Sequence, residues 1–422
     1  MSRRQLKIGY FVLEGLNSFA TVQYLYYFYF FTEKTFGFST KANLAAAALN
    51  GALTAMGSFL GGKFAQKQGY HKALKLGFLI MAVSLAIGSQ LSSPAAHVCV
   101  MGTMVLGMCL TWPTLEALVS EGEPAGRLEQ TLGLYNVIWA GGGALAYFVG
   151  GALLQKWARS IFYMPAAIEF LQLALLFWLE ARPRKTEGSA DSPVRDREPI
   201  QRAPVGSKSP LVVTNPRTGL SALRSLWAGR NERPLAAEQK AFVRMAWLAN
   251  PFAYIAINSL VAIIPSLAAK LGLSTALAGI ICSTWCFARM AAFLGLWLWP
   301  GWHYRFGWLL TAYLSLIVSF ISILLAANIF WLVSAQILFG FALGLIYYSS
   351  LFYSMDCSDT KGEHGGIHEA AIGAGNFAGP AVGAIALQFL PGLPHSAAWA
   401  VGTCLLVGLG GLLIIRRNGK PE

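Results

Sequence analysis

Apolar runs of roughly 20 residues recur along the whole chain, and that length lets an α-helix cross about 30 Å of hydrocarbon. Twelve such runs fall near 8–31, 42–62, 73–91, 98–119, 131–154, 161–180, 243–266, 276–298, 307–327, 329–355, 366–390 and 397–415. Short polar stretches separate them, except at 181–241. There seven prolines, many charges and scattered Gly and Ser predict a flexible linker rather than a packed element. Inside it, Gly219 to Arg230 sets Leu220, Leu223, Leu226 and Trp227 against Arg224 and Arg230, a pattern that suits a short interfacial helix. The pattern predicts an all-α integral membrane protein: a bundle over 1–180, the linker over 181–241 and a second bundle over 242–422.

The second bundle repeats the first at an offset of about 233 positions. Asn17-Ser18-Phe19-Ala20 returns as Asn250-Pro251-Phe252-Ala253, and Gly37-Phe38-Ser39-Thr40 as Gly272-Leu273-Ser274-Thr275. Gly69-Tyr70-His71 returns as Gly301-Trp302-His303. Gly107, Gly133, Gly142 and Gly150 correspond to Gly340, Gly366, Gly375 and Gly383. No single match carries weight, but together they hold one offset. A duplicated, strongly apolar chain is the mark of a secondary transporter with its site between the halves.

Composition supports the bilayer as solvent: 55% of the 422 residues are hydrophobic and 12% are charged. The net charge of +13 invites a nucleic-acid reading, and its distribution argues against one. The loops on the side opposite the termini hold only Lys34, Lys41, Lys156, Arg159 and Lys270, whereas 25 of the 32 Lys and Arg fall on the terminal side. That asymmetry predicts both termini in the cytoplasm and a multi-pass protein of the plasma membrane. Cys99, Cys109, Cys282, Cys286, Cys357 and Cys404 lie in or beside apolar runs, with no His or carboxylate spacing that completes a metal site. Ser2-Arg3-Arg4 precedes a first run too long for a signal-peptide core, so that run is expected to be a retained membrane helix.

The segment Gly62-Lys63-Phe64-Ala65-Gln66-Lys67-Gln68-Gly69-Tyr70-His71-Lys72 resembles the loop signature of the major facilitator superfamily: Gly, three residues, Asp, a basic residue, any residue, Gly, then basic residues. Glu121-Gly122-Glu123-Pro124-Ala125-Gly126-Arg127, followed by Gly133, resembles that family's connection between helices 4 and 5. The resemblance implies twelve helices in two six-helix pseudo-repeat halves that rock around a midplane site, with helices 1, 4, 7 and 10 lining it. There are two departures. Gln66 stands where the family carries an acid, so the family's charged latch, with Lys67, cannot work in its ordinary form. The glycine- and proline-bearing motif of family antiporters is incomplete in helix 5, and its closer match lies in helix 11: Gly375, Gly379, Pro380 and Gly383. Small residues at that spacing let helices approach closely.

Polar residues inside apolar runs are the candidates for chemistry, because burying them is costly. Glu14, Asn17, Thr21 and Tyr24 follow helical spacing in the first run, with Tyr27 near that face; Asn250, Tyr254 and Asn258 form the corresponding stripe in the seventh. These read either as cavity-lining or as buried structural groups. Tyr26 and Tyr29 read as an interfacial aromatic belt, and Glu33 and Glu169 as residues near the outer interface. Trp112 and Glu116 share a face of helix 4, and Tyr347 and Tyr348 stand at matching depth in helix 10. Arg289 stays charged and requires a carboxylate, water or an anionic solute. Glu369 is the candidate partner, either in a fixed bridge or in a site that exchanges proton and solute. His368 titrates near neutral pH in its ordinary state and is a second proton carrier.

No nucleotide-binding loop or nucleophile elbow is present, so the chain reads as no enzyme and needs no cofactor. The expected function is proton-coupled transport of a small polar or anionic organic solute by alternating access, in a monomer within the lipid bilayer that binds no nucleic acid. Substrate contacts are assigned to Asn17, Tyr24, Tyr27, Trp112, Asn250, Tyr254, Asn258, Arg289, Tyr347 and Tyr348, and proton coupling to Glu14, Glu116, His368 and Glu369. Gating and helix packing fall to Gly62, Gln66, Lys67, Gly69, Gly375, Gly379, Pro380 and Gly383. Export of amphipathic compounds and a non-transporting sensor are the rival expectations.

Overall fold

A computed structural model describes residues 2–123, 125–183, 236–356 and 361–419, with the backbone alone at 125–129, 236–237, 355–356 and 361–367. Most of the expected linker, its Gly219–Arg230 segment and Cys357 lie outside the described residues.

Twelve rods make up the described fold. The first six are α1 (Arg3–Phe36), α2 (Thr40–Gln68), α3 (Tyr70–Gly88), α4 (Pro94–Ser120), α5 (Ala125–Lys156) and α6 (Ser160–Ala181). The second six are α7 (Ala236–Lys270), α8 (Thr275–Leu298, interrupted at Ser283), α9 (Phe306–Leu324), α10 (Ile329–Asp356), α11 (Lys361–Phe389) and α12 (Ser396–Asn418). Eleven are long and apolar enough to cross a membrane. The first rod, α1, falls short of that test because Glu14, Asn17, Ser18, Thr21 and Gln23 dilute its apolarity. All five are fully buried, so lipid never meets them.

The duplication extends to backbone geometry. Gly37 and Gly272, the matched residues after α1 and α7, adopt φ of 67° and 66°, a left-handed turn open to glycine at little cost. Two residues on, Ser39 Oγ accepts from the Ala42 N–H and Ser274 Oγ from the Leu277 N–H, both at 3.3 Å, capping α2 and α8 alike. The matched Gly142 and Gly375 each press on the first helix of their own half, at the Gly15 and Pro251 carbonyls, where a methyl would collide.

The two halves meet along two long antiparallel pairs, α2 against α11 and α5 against α8. Gly51 lies on the backbone of Asn376–Phe377, Gly373 on Ala55, and Gly151 on Thr275 and Gly279. Absence of side chains permits this close approach. At the end of the bundle remote from the termini, four hydrogen bonds join the halves. Thr40 Oγ1 and Ser266 Oγ are 2.8 Å apart, and Ser266 Oγ donates to Glu33 Oε2 at 3.0 Å. Lys41 Nζ donates to Gln388 Oε1 at 2.8 Å, and the Ala276 N–H to Gln155 Oε1 at 3.0 Å.

At the terminal end, Lys7 pairs with Glu123, Arg3 donates to the Glu121 carbonyl at 3.0 Å, and Tyr10 meets His71 at 3.0 Å. These contacts tie α1 to the α4–α5 connection and to α3, within the first half. Gly69 turns the chain between α2 and α3 at φ 97°, whereas Gln66 and Lys67 are exposed.

Candidate functional site

A cavity with about 760 Å³ of free space, including its mouth, lies between the halves at mid-depth. Its walls come from α1 (Thr21, Val22, Leu25, Tyr26, Tyr29), α2 (Asn50, Thr54), α4 (Met108, Trp112) and α5 (Trp139, Gly143) on one side. The other side is α7 (Tyr254, Ile257, Asn258, Val261), Arg289 of α8, and α11 (Glu369, Ile372, Asn376). A wall that is mainly aromatic and apolar with a few convergent polar groups suits a small organic solute.

Arg289 is the most unusual wall residue. It is 4% exposed, and its guanidinium lies 4.4 Å from the Trp139 ring centre and 4.9 Å from that of Trp285. Trp139 belongs to the first half and Trp285 to the second, so the charge is held between rings of both. Trp139 in turn stacks on Tyr347 at 5.2 Å, and Trp285 on Tyr26 at 6.0 Å. Arg289 Nε has no hydrogen-bond partner, and no carboxylate pairs with this side chain among the described residues. Cation–π contacts stabilise a desolvated guanidinium by about 2 kcal/mol, well short of the cost of burying it.

Glu369 lines the same cavity, yet the fixed Arg289–Glu369 bridge is not formed. Its neighbour His368 places Nδ1 3.7 Å from Glu369 Oε1 and Nε2 3.1 Å from Asn250 Nδ2. From the first half, Glu116 of α4 feels the charge of both His368 and Glu369, and Glu14 of α1 and the Tyr135 hydroxyl of α5 feel that of Glu369. Glu14 is fully buried; Ser18 Oγ donates to its Oε1 at 3.2 Å, and its Oε2 is unpartnered. No Lys or Arg among the described residues forms an ion pair with any of the three carboxylates. Three acids and one imidazole, drawn from both halves, thus share one buried region.

The cavity gathers Trp112, Tyr254, Asn258, Arg289 and Glu369 from the sequence-derived candidates. Asn258 donates to Asn376 across α7 and α11. Tyr347 supports the wall through Trp139 and meets His368 edge-on at 5.6 Å. Other candidates sit elsewhere. Inside the first half, Tyr24 packs on Phe28 and Phe162 and Asn17 Oδ1 accepts from Thr111 at 3.4 Å; Tyr27 donates to the Tyr147 carbonyl with its hydroxyl set against Gly279 of the second half. Tyr348 packs on Phe293 and Trp302, away from the cavity.

The interfacial-belt expectation for Tyr26 and Tyr29 is overturned, because both line the cavity. A helix turns roughly 100° per residue, so the face made by Thr21, Val22, Leu25, Tyr26 and Tyr29 leaves Tyr24 roughly 130° away. Glu169 is likewise not interfacial: it is fully buried at the middle of α6 and accepts from Gln172 Nε2 at 3.0 Å. The glycine-proline motif of α11 is a packing device. Gly375 and Gly379 rest on the Pro251 and Ile255 carbonyls of α7, Gly383 faces Leu44 of the other half, and Pro380 is buried. Asn50, Thr54, Trp139, Trp285 and Asn376 were not singled out from the sequence. Trp139 and Trp285 look like ordinary aromatic residues in apolar runs, and only tertiary contact sets them on either side of Arg289.

The family model described as Major Facilitator Superfamily matches residues 8–380. No curated protein matches the chain by sequence. Among solved structures, the chain resembles a peptide transporter POT in complex with sulfate at TM-score 0.67 and 17% identity, covering 98% of this chain and 95% of that one. It resembles an auto-inhibited POT family peptide transporter at TM-score 0.68 and 13% identity, covering 99% and 98%. The nucleoside transporter NupG aligns at TM-score 0.63 and 14% identity, covering 98% of each chain. At such identities the likeness speaks for the fold alone. The family match spans most of the chain, twelve rods pair as two repeated halves, and a cavity with a few buried polar groups lies between them: the chain belongs to the Major Facilitator Superfamily, as a multi-pass membrane transporter rather than an enzyme.

Proposed function

We propose that this transporter carries a small polar or anionic organic solute by alternating access, coupled to protons. The observation behind the proposal is Arg289, a permanent charge buried at mid-depth, open to the cavity and without a carboxylate partner among the described residues. A group with that much unmet demand for negative charge fits a solute that supplies it transiently. Glu14, Glu116, His368 and Glu369 supply the proton sites, since they come from both halves and Glu14 and Glu116 both feel the charge of Glu369. Protonation and solute then each favour one arrangement of the halves. In this reading the protein works as a monomer in the plasma membrane, with both termini and the 181–241 linker in the cytoplasm.

The test is uptake into proteoliposomes under an imposed pH gradient, using solutes chosen by a thermal-shift screen of the purified protein. Wild type should accumulate one chemical class, and Arg289→Ala should remain folded without accumulating it. If Arg289→Ala instead fails to fold, the residue is a structural anchor and the proposal loses its support.

A further inference from the structure

Resting on that reading of the cavity, we infer that the transported solute is a small zwitterion with an aromatic or bulky apolar body. Its carboxylate pairs with Arg289 and its ammonium with Glu369.

The cavity holds two opposite charges that do not neutralise each other. Arg289 projects from α8 and Glu369 from α11, both line the space, and no ion pair joins them. Tyr254 and Tyr347 feel both charges, so the two ends stand within reach of one molecule. An anion alone would satisfy Arg289 and leave Glu369 facing it with like charge. A cation alone would do the reverse. A molecule carrying both charges satisfies both ends in one pose.

The wall between the charges selects the body. Tyr26, Trp112, Trp139 and Tyr254 present rings to the cavity, and the Trp112 indole N–H has no partner. Rings stack on aromatic or bulky apolar groups. Asn50, Thr54, Asn258 and Asn376 also line the cavity and can bond the polar part of such a solute.

The experiment measures binding to the purified full chain by thermal stabilisation and calorimetry. The panel comprises L-tryptophan, L-phenylalanine and dipeptides of each with alanine. The best binder is then compared with analogues lacking either charged group; for tryptophan these are indole-3-propionate and tryptamine. In wild type, losing either group should weaken binding by about tenfold or more, because a buried charge is left unpaired. In Glu369→Gln the deaminated acid should bind as well as the zwitterion, and in Arg289→Gln the decarboxylated amine should. Arg289→Lys and Glu369→Asp, expected to retain part of the preference, serve if a glutamine variant does not fold.

A deaminated acid that binds wild type as tightly as the zwitterion overturns the inference. So does a panel without binders when proteoliposomes accumulate some other solute, an outcome that leaves transport itself standing. Binding with the predicted charge preferences but no accumulation under any gradient upholds the zwitterion site and removes the transport reading.

Discussion

Ser266 donates to Glu33 across the two halves, at the end of the bundle remote from the termini. Thr40 joins the pair through the same serine hydroxyl. Glu33 thus contributes to closing this end of the transporter.

Ser266→Ala removes the donor to Glu33 and the partner of Thr40 together. Net hydrogen-bond contributions of about 0.5–1 kcal/mol each predict a population shift of roughly 5- to 30-fold toward the arrangement open at this end. A cysteine placed at Val261, in a background without native cysteines, should then react several times faster with a membrane-impermeant maleimide added from that side. An unchanged rate would show that these bonds do not hold the end closed.

Gly151 and Gly375 provide a matched contrast. A methyl at Gly151 meets Thr275 and Gly279 of the opposite half, whereas one at Gly375 meets Pro251 within its own half. Overpacking against backbone costs about 1–3 kcal/mol. Gly375→Ala should therefore lower the melting temperature, while Gly151→Ala should leave it nearly unchanged and slow transport. Equal loss of stability in both variants would contradict a moving boundary at Gly151.

Trp139→Leu removes one ring over Arg289 and the stack on Tyr347. Cation–π loss of about 1–2 kcal/mol predicts solute binding weaker by roughly 5- to 30-fold, with the ordinary cost of a smaller core residue added to stability. Trp285→Leu should act in the same direction, since its ring covers the guanidinium at nearly the same distance. Titration calorimetry on the purified variants reads the change directly.

Glu14→Gln preserves shape and the bond from Ser18, because an amide oxygen also accepts. The variant should melt at or above the wild-type temperature, since the unpartnered carboxylate oxygen gives way to a neutral group. If Glu14 carries a coupling proton, uptake driven by a pH gradient falls while solute exchange without a gradient persists. Retained accumulation would remove Glu14 from the coupling set and leave Glu116, His368 and Glu369.

Much of this architecture was legible from the chain. Run length gave the rods, because hydrocarbon thickness fixes helix length, and the repeat of Gly37 as Gly272 survives as two turns of the same φ. Arg289 and Glu369 also stood out, because charge in an apolar run has few explanations. The face of α1 was harder to read. Tyr24, Tyr26, Tyr27 and Tyr29 surround the helix, so composition could not say which side meets the cavity, and the choice of Tyr24 over Tyr26 and Tyr29 went the other way. The partners of Arg289 were out of reach for a different reason: Trp139 lies 150 positions before it, and nothing local links them.

Arg289 has an electrical consequence. Held between two rings at mid-depth, it has little room to travel, yet the side from which water reaches it changes when the mouth of the cavity changes. Most of the membrane voltage falls across whichever side is sealed, so switching the mouth carries this charge through much of the field without moving a helix. A full crossing is worth about 2.3 kcal/mol per 100 mV. Glu369 lines the same space. On the coupling proposed above, a proton bound there would remove the charge that opposes Arg289, so the resting voltage would bias the empty, protonated carrier most strongly, a dependence that uptake at clamped potassium diffusion potentials would reveal.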